Sequence, residues 1–122
     1  MAARKPANPV VITGDIHSNW VNDLKPDSFD TRSTVLATEF AGTSISSGGD
    51  RPEKHGDPQG WLPKNPQIHW FNDKRGYVVC DVREADFRAD FRILDYVTRP
   101  GSPVKTGASF VVENGRPGAQ RA

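Results

Sequence analysis

The sequence predicts a strand-rich α+β domain whose main body is an antiparallel meander. Three observations lead there. The segment Phe87-Arg88-Ala89-Asp90-Phe91-Arg92-Ile93 puts Phe87, Ala89, Phe91 and Ile93 on one face and Arg88, Asp90 and Arg92 on the other. A strict period of two with charges opposite apolar groups describes an antiparallel strand with one wet side. The rest of the second half is a series of short β-branched and aromatic runs separated by turn residues. No long stretch repeats with the helical period, so no long helix is expected.

Length and charge narrow the choices further. A chain of 122 residues is one domain at most. At 35% hydrophobic residues, with 11 Gly and 10 Pro, it is loop-rich and buries a modest core. Sixteen basic and fifteen acidic residues leave +1, so no overall field steers it to nucleic acid or an anionic membrane. No apolar run is long enough to span a bilayer. The single cysteine, Cys80, excludes an internal disulfide framework and a cysteine-rich zinc module. Met1-Ala-Ala-Arg-Lys-Pro has no apolar centre of the kind a secretory signal needs.

The elements follow in order. Residues 1–9 are a polar lead-in, and residues 10–114 carry the domain. Val10-Val11-Ile12-Thr13 is a continuous apolar run, read as a strand buried on both faces and stopped by Gly14-Asp15. Ser18 to Leu24 is expected to form a short helix capped by Ser18 and ended by Pro26. Residues 25–32 are loop, and Thr34 to Phe40 is a second strand. Residues 41–50 form a small-residue stretch. With four prolines and two glycines, Arg51 to Pro66 is a long loop. Ile68–Phe71, Tyr77–Arg83, Phe87–Val97 and Ser109–Glu113 are strands. The turns Asn72–Gly76 and Arg83–Asp86 join the first three of these into the meander. Residues 115–122, GRPGAQRA, are a frayed tail.

The strongest chemical feature is Thr13-Gly14-Asp15-Ile16-His17, at the C-terminal end of the first strand. Ligand sites in layered α/β folds lie beyond such ends. Asp15 and His17 are two apart, so in extended geometry both point the same way. A carboxylate and an imidazole converging on one point suit a metal ion, although even a catalytic zinc takes three protein ligands. The alternative is that Asp15 caps the following turn and His17 is polar surface. A second candidate is Thr43-Ser44-Ile45-Ser46-Ser47-Gly48-Gly49-Asp50, whose backbone amides suit an anion such as phosphate. It lacks the lysine and spacing of a P-loop.

Other residues favour plainer roles. Cys80 alternates with Val78 and Val82 as a core thiol. His55 and His69 have no partner at metal spacing. The row Arg88, Asp90, Arg92 is a solvated sheet face, and Trp20, Trp61 and Trp70 are too scattered to form a stacking platform.

Four blocks, taken in order, resemble one family. Val11-Ile12-Thr13-Gly14-Asp15-Ile16-His17-Ser18-Asn19-Trp20 is similar to the GDxHxxW signature of the alkaline phosphatase D (PhoD-like) metallophosphatases. Thr38-Glu39-Phe40-Ala41-Gly42-Thr43-Ser44-Ile45-Ser46-Ser47 resembles the block that follows it, and Arg75-Gly76-Tyr77 and Phe87-Arg88-Ala89-Asp90 resemble its C-terminal strands. The likeness runs from about Val10 to Glu113. It implies the C-terminal part of a four-layer αββα metallophosphatase fold, the calcineurin-like phosphoesterase type. It also implies a phosphoric ester hydrolase acting on phosphate monoesters and diesters with calcium and iron.

On that resemblance Asp15 and His17 are catalytic and metal-binding residues. Ser44 and Ser46 to Ser47 are walls facing the substrate, and Trp20 is a packing residue. The family's other metal ligands, its iron-binding cysteine among them, belong to segments upstream of the GDxH strand. Cys80 is not in that place. The chain is therefore expected to be incomplete and inactive alone, to need that N-terminal portion, and to expose sheet edges. The resemblance also suggests a periplasmic or secreted enzyme. The rival readings are a small β-rich binding module without catalysis and a phosphate-binding loop built on residues 43–50.

Overall fold

Eight strands make up the ordered elements of the computed structural model, which describes residues 6–27, 30, 32–51 and 64–122. They are β1 Val10–Thr13, β2 Asn19–Leu24, β3 Ala37–Ala41, β4 Ile68–Asn72, β5 Gly76–Val82, β6 Asp86–Leu94, β7 Val104–Glu113 and β8 Gln120–Arg121. They form two four-stranded sheets, ordered β1-β3-β2-β4 and β5-β6-β7-β8. β1 and β3 run parallel and end together at Thr13 and Ala41. Every other pairing is antiparallel. The strand-rich expectation and the dominance of antiparallel pairing hold.

Alternation on each strand decides which groups enter the space between the sheets. Val21 and Phe40 of the first sheet meet Phe87, Ala89, Phe91, Ala108, Phe110 and Val112 of the second, with Trp70, Val78 and Cys80 at the margin. Phe91 is fully buried and lies against three rings: Phe40 at 6.2 Å, Trp70 edge-on at 4.9 Å and Phe110 edge-on at 6.4 Å between centroids. Such tilted pairs add to the area they bury. The face of β6 bearing Arg88, Asp90 and Arg92 is the wet one, with Arg88 Nε 3.1 Å from Asp90 Oδ1. Burial raises the pKa of the Cys80 thiol, which suits a core residue better than a nucleophile.

Several expectations need correction. Ser18–Leu24 is not a helix: Asn19–Leu24 is strand β2, paired on both sides by β3 and β4. Six residues make too short an isolated helix to compete with two ladders. Ser18 is no cap, and its Oγ accepts a bond from Trp20 Nε1 at 2.7 Å. β4 does not belong to the meander. Residues 73–75 carry the chain from one sheet to the other, and the meander is β5-β6-β7 with β8 added. The tail is not frayed, because Ala119 is buried and Gln120–Arg121 pair with Phe110 and Val111. β3 starts three residues later than expected, β6 ends three earlier, and β7 begins at Val104. Within the loop expected at 51–66, residues 52–63 lie outside the described residues, and His55 and Trp61 with them.

β1 also departs from the reading of a strand buried on both faces. Among the described residues it pairs with β3 alone, and Ile12 is 60% exposed. β5 is the matching edge of the second sheet, with Val82 73% exposed. Val10 and Val82 line one small cavity of about 210 Å³, so both open edges lie along the same flank. Exposed edges with apolar side chains were expected, and they are present.

The ring cluster gives a direct test of the packing. Phe91→Ala should cost about 3–5 kcal/mol in urea unfolding. Val82→Thr on the open flank should stay within roughly 0.5 kcal/mol of the parent. Equal costs would mean that the two sheets do not pack as described.

Candidate functional site

The loops at one end of the sandwich follow from its topology. β1 and β2 flank β3 and run opposite to each other, so residues 14–18 must step over the end of β3. That step covers two strand spacings, about 10 Å, in five residues. The chain manages it with left-handed backbone at two non-glycine positions, Asp15 (φ 73°) and His17 (φ 60°). Ile16 N donates to Gly14 O at 2.9 Å, closing a three-residue turn about Asp15; a positive central φ is rare in such a turn. The extended geometry assumed for Asp15 and His17 is therefore incorrect, and strand alternation does not set their common direction. Both are exposed, on consecutive bends beyond the C-terminal end of β1.

Beneath this turn lies a buried polar layer. Ser18, Asn19, Asn72, Lys74 and Arg75 are all at most 9% exposed. Asn19 Oδ1 accepts from Thr43 N at 3.0 Å, and its Nδ2 donates to Lys74 O at 3.4 Å. Asn72 Oδ1 accepts from Lys74 N at 2.7 Å, which shapes the crossing at 73–75. Lys74 Nζ reaches Asp95 O at 3.0 Å.

Arg75 is 1% exposed and touches three segments. Its Nη1 donates to His17 O at 2.7 Å, Ser44 Oγ at 2.8 Å and Thr43 Oγ1 at 3.3 Å. Nη2 reaches Asp73 O at 3.4 Å and Asp73 Oδ1 at 3.7 Å. Burial lowers the guanidinium's pKa, Asp73 opposes that, and nearby Arg51 adds to it. The adjoining Gly76, at φ 156°, leaves no room for a side chain: a Cβ there would sit 1.9 Å from Arg92 O.

Ser44 and Ser46 lie on the neighbouring loop. Ser44 Oγ is engaged, accepting from Arg75 and donating to Ser47 O at 2.7 Å. Ser46 is exposed, and its carbonyl accepts from Gly49 N at 3.1 Å. Asp50 closes the loop against the β6–β7 connection, accepting from Val97 N at 2.6 Å and Thr98 Oγ1 at 2.9 Å. Those two bonds hold its carboxyl below the usual range.

The structure thus brings the Asp15–His17 turn and the Ser44–Ser46 loop together through Arg75. Among the described residues no three His, Cys, Asp or Glu side chains gather where they could hold a metal ion. Asp15 and His17 therefore do not make a metal site by themselves. Trp20 packs on Phe71 with centroids 4.5 Å apart, as a packing residue should. His69, unpartnered in the sequence reading, pairs through Nε2 with Asp23 Oδ2 at 2.7 Å. Sequence reasoning gives Arg75 no role, and Asn19 only a place beside Asp15 and His17. The signals are Arg75-Gly76-Tyr77, one of the family-like blocks, and Asn19 within the GDxHxxW stretch.

Comparison with known proteins bears on the same segments. Residues 1–91 match the PhoD-like phosphatase family. Alkaline phosphatase D of Bacillus subtilis (strain 168) is 43% identical over 114 residues, which cover 93% of this chain and 20% of that protein. The solved structure of PhoD superposes with a TM-score of 0.90 at 40% identity, covering 99% of this chain and 23% of the other. The chain spans about a fifth of the length of the curated relative it matches. No helix among the described residues is long and apolar enough to cross a membrane.

Two outcomes test this geometry. Gly76→Ala should cost at least about 1–3 kcal/mol in urea unfolding, because the added methyl group meets backbone; an unchanged midpoint would contradict the close approach. Asp50's depressed pKa means its bonds are intact above the ordinary carboxylate range and are lost as pH falls through the lower folded value. Protection of the Val97 amide, measured against its intrinsic exchange rate, should therefore fall as the pH drops below the ordinary carboxylate value of about 3.9. Asp50→Asn should abolish that acid step.

Proposed function

The chain belongs to the PhoD-like phosphatase family, and on that footing we propose that it supplies part of the active site of a metal-dependent phosphoric ester hydrolase. The carrying observation is the exposed Asp15–His17 turn, held in a rare backbone conformation beyond the paired ends of β1 and β3. Strain of this kind in a non-glycine turn persists only where the surroundings fix it, and it clusters at functional sites. Here the bond from buried Arg75 to the His17 carbonyl and the Ile16-to-Gly14 bond hold it.

Asp15 offers a hard oxygen donor, which calcium accepts, and His17 offers an imidazole, which suits iron. Two donors are fewer than the three that a catalytic zinc takes from its protein. The remaining ligands are proposed to come from polypeptide beyond these 122 residues, such as the four-fifths of the Bacillus protein that the match leaves out. Metals bound in such sites polarise phosphoryl oxygens and lower the pKa of water. This chain's own contribution is positional. The turn presents Asp15 and His17 to solvent, where a phosphate ester can approach, and Ser46 lines the neighbouring wall. The Ser44 hydroxyl is held underneath and sets the shape of that wall. Calcium, iron and activity on both monoesters and diesters come with this proposal.

Two measurements check it. The isolated chain should show no turnover of an aryl phosphate or an aryl phosphodiester with calcium and iron supplied. Turnover that disappears in His17→Asn would establish a complete enzyme and end the shared-site reading. Calcium, or manganese as a paramagnetic probe, should bind weakly and perturb the amides of Asp15 and His17. Asp15→Asn, which tolerates left-handed backbone as Asp does, should weaken that binding by at least about tenfold. A β-rich module without chemistry would show no such binding in either form.

A further inference from the structure

We propose that Arg75 is a positioning residue that couples the turn bearing Asp15 and His17 to the loop bearing Ser44 and Ser46, so that the two walls of the site move as one unit. The inference builds on the assignment of those four residues to the site, but its physical basis is independent of any metal.

A guanidinium is a rigid planar fork, and Arg75 uses that shape. One nitrogen, Nη1, serves the His17 carbonyl and the hydroxyls of Ser44 and Thr43. Nη2 is turned to Asp73. A lysine would bring one ammonium on a flexible stem and would lose the second nitrogen that Arg75 turns to Asp73 while Nη1 serves the two loops. The remaining donor, Nε, is buried without a hydrogen-bond partner, so the group is not there to satisfy itself. Burying a charge is costly, and well-packed apolar residues of similar volume commonly do as well or better for stability alone. A cation retained under these conditions, with acceptors on two separate loops, has a geometric task.

The neighbouring contacts show what that task is. Gly76 N donates to Ser44 O at 3.1 Å, which fixes the second loop to the strand that begins just after Arg75. Gly48 lies against the guanidinium, where a Cβ would come within 3.8 Å of Cζ. Two other bonds of the first turn are local, Ile16 N to Gly14 O and Trp20 Nε1 to Ser18 Oγ. The bond from Arg75 to His17 O therefore ties the turn to the opposite sheet. A phosphate drawn toward the Ser44–Ser46 loop would move hydroxyls that share their donor with the His17 carbonyl.

The test uses the 122-residue chain in solution, read by carbonyl and amide resonances. In Arg75→Lys, the His17 carbonyl carbon and the amides of Ile16–Ser18 and Thr43–Ser44 should shift together, while those of Phe91 and Phe110 stay in place. Thr43→Val combined with Ser44→Ala leaves Arg75 intact and removes its second-loop acceptors, together with the local Ser44 Oγ–Ser47 O bond. It should still shift the His17 carbonyl, and it decides the matter if Arg75→Lys fails to fold. Inorganic phosphate titrated into the parent chain should perturb His17 along with residues 43–48, and this linkage should be lost in Arg75→Lys. Effects confined to the loop that was mutated, or a His17 carbonyl unmoved by either variant, would overturn the coupling. Manganese broadening is read on the same samples. Its absence in the parent chain would sink the metal reading while leaving the coupling result standing.

Discussion

The site end of this molecule depends on one buried guanidinium. Arg75 follows the short link that carries the chain between sheets, and its donors reach back to two loops of the sheet the chain has just left. The rings of Phe40, Phe91, Trp70 and Phe110 hold the faces of the two sheets together, but ring packing has little directional precision. Hydrogen bonds from a planar cation have direction, and charge-assisted ones are stronger than neutral ones. The apolar core sets how far apart the sheets sit, and the polar layer sets how their loops are aimed.

The Asp15–His17 turn shows how topology and chemistry share a cause. β1 and β2 flank β3, so the intervening five residues cross about 10 Å, well within their reach, and the two left-handed residues fold them into a tight turn on the way. The two left-handed residues are the ones whose side chains offer a carboxylate and an imidazole. Asp and His tolerate that backbone better than most residues, so the crossing and the chemistry make the same demands on residue type.

Much of this was legible in the sequence, and the misses have physical reasons. The period of two in Phe87–Ile93 located β6, its wet face and its buried face, because alternation is a local property. Val10–Thr13 was recognised as a strand for its β-branched run, but its neighbours are set by distant residues, and Ile12 proved exposed. The stretch from Ser18 to Leu24 reads locally as a short helix. Pairing with β3 and β4, which lie far along the chain, decides for strand. Asp15 and His17 stood out by residue type and spacing, yet the left-handed turn that presents them arises from a crossing no local pattern reveals. Arg75 was least legible of all: Arg75-Gly76-Tyr77 stands among the family-like blocks, yet nothing local in Asn72–Gly76 distinguishes an arginine in solvent from one sealed beneath two loops.

The flank shared by β1 and β5 bears on handling the protein. Apart from the Gly76 amide, which is bonded to Ser44 O, the outward amide and carbonyl groups of Val10–Thr13 and Gly76–Val82 pair with no strand among the described residues, with Ile12 and Val82 beside them. Unsatisfied ladders of this kind accept any extended chain that arrives. At the concentrations needed for crystals or spectra, the most abundant such chain is another copy of this protein. A charged residue in place of Ile12 or Val82 is the economical means of keeping it monodisperse, because both positions lie outside the ring cluster and far from Arg75's contacts.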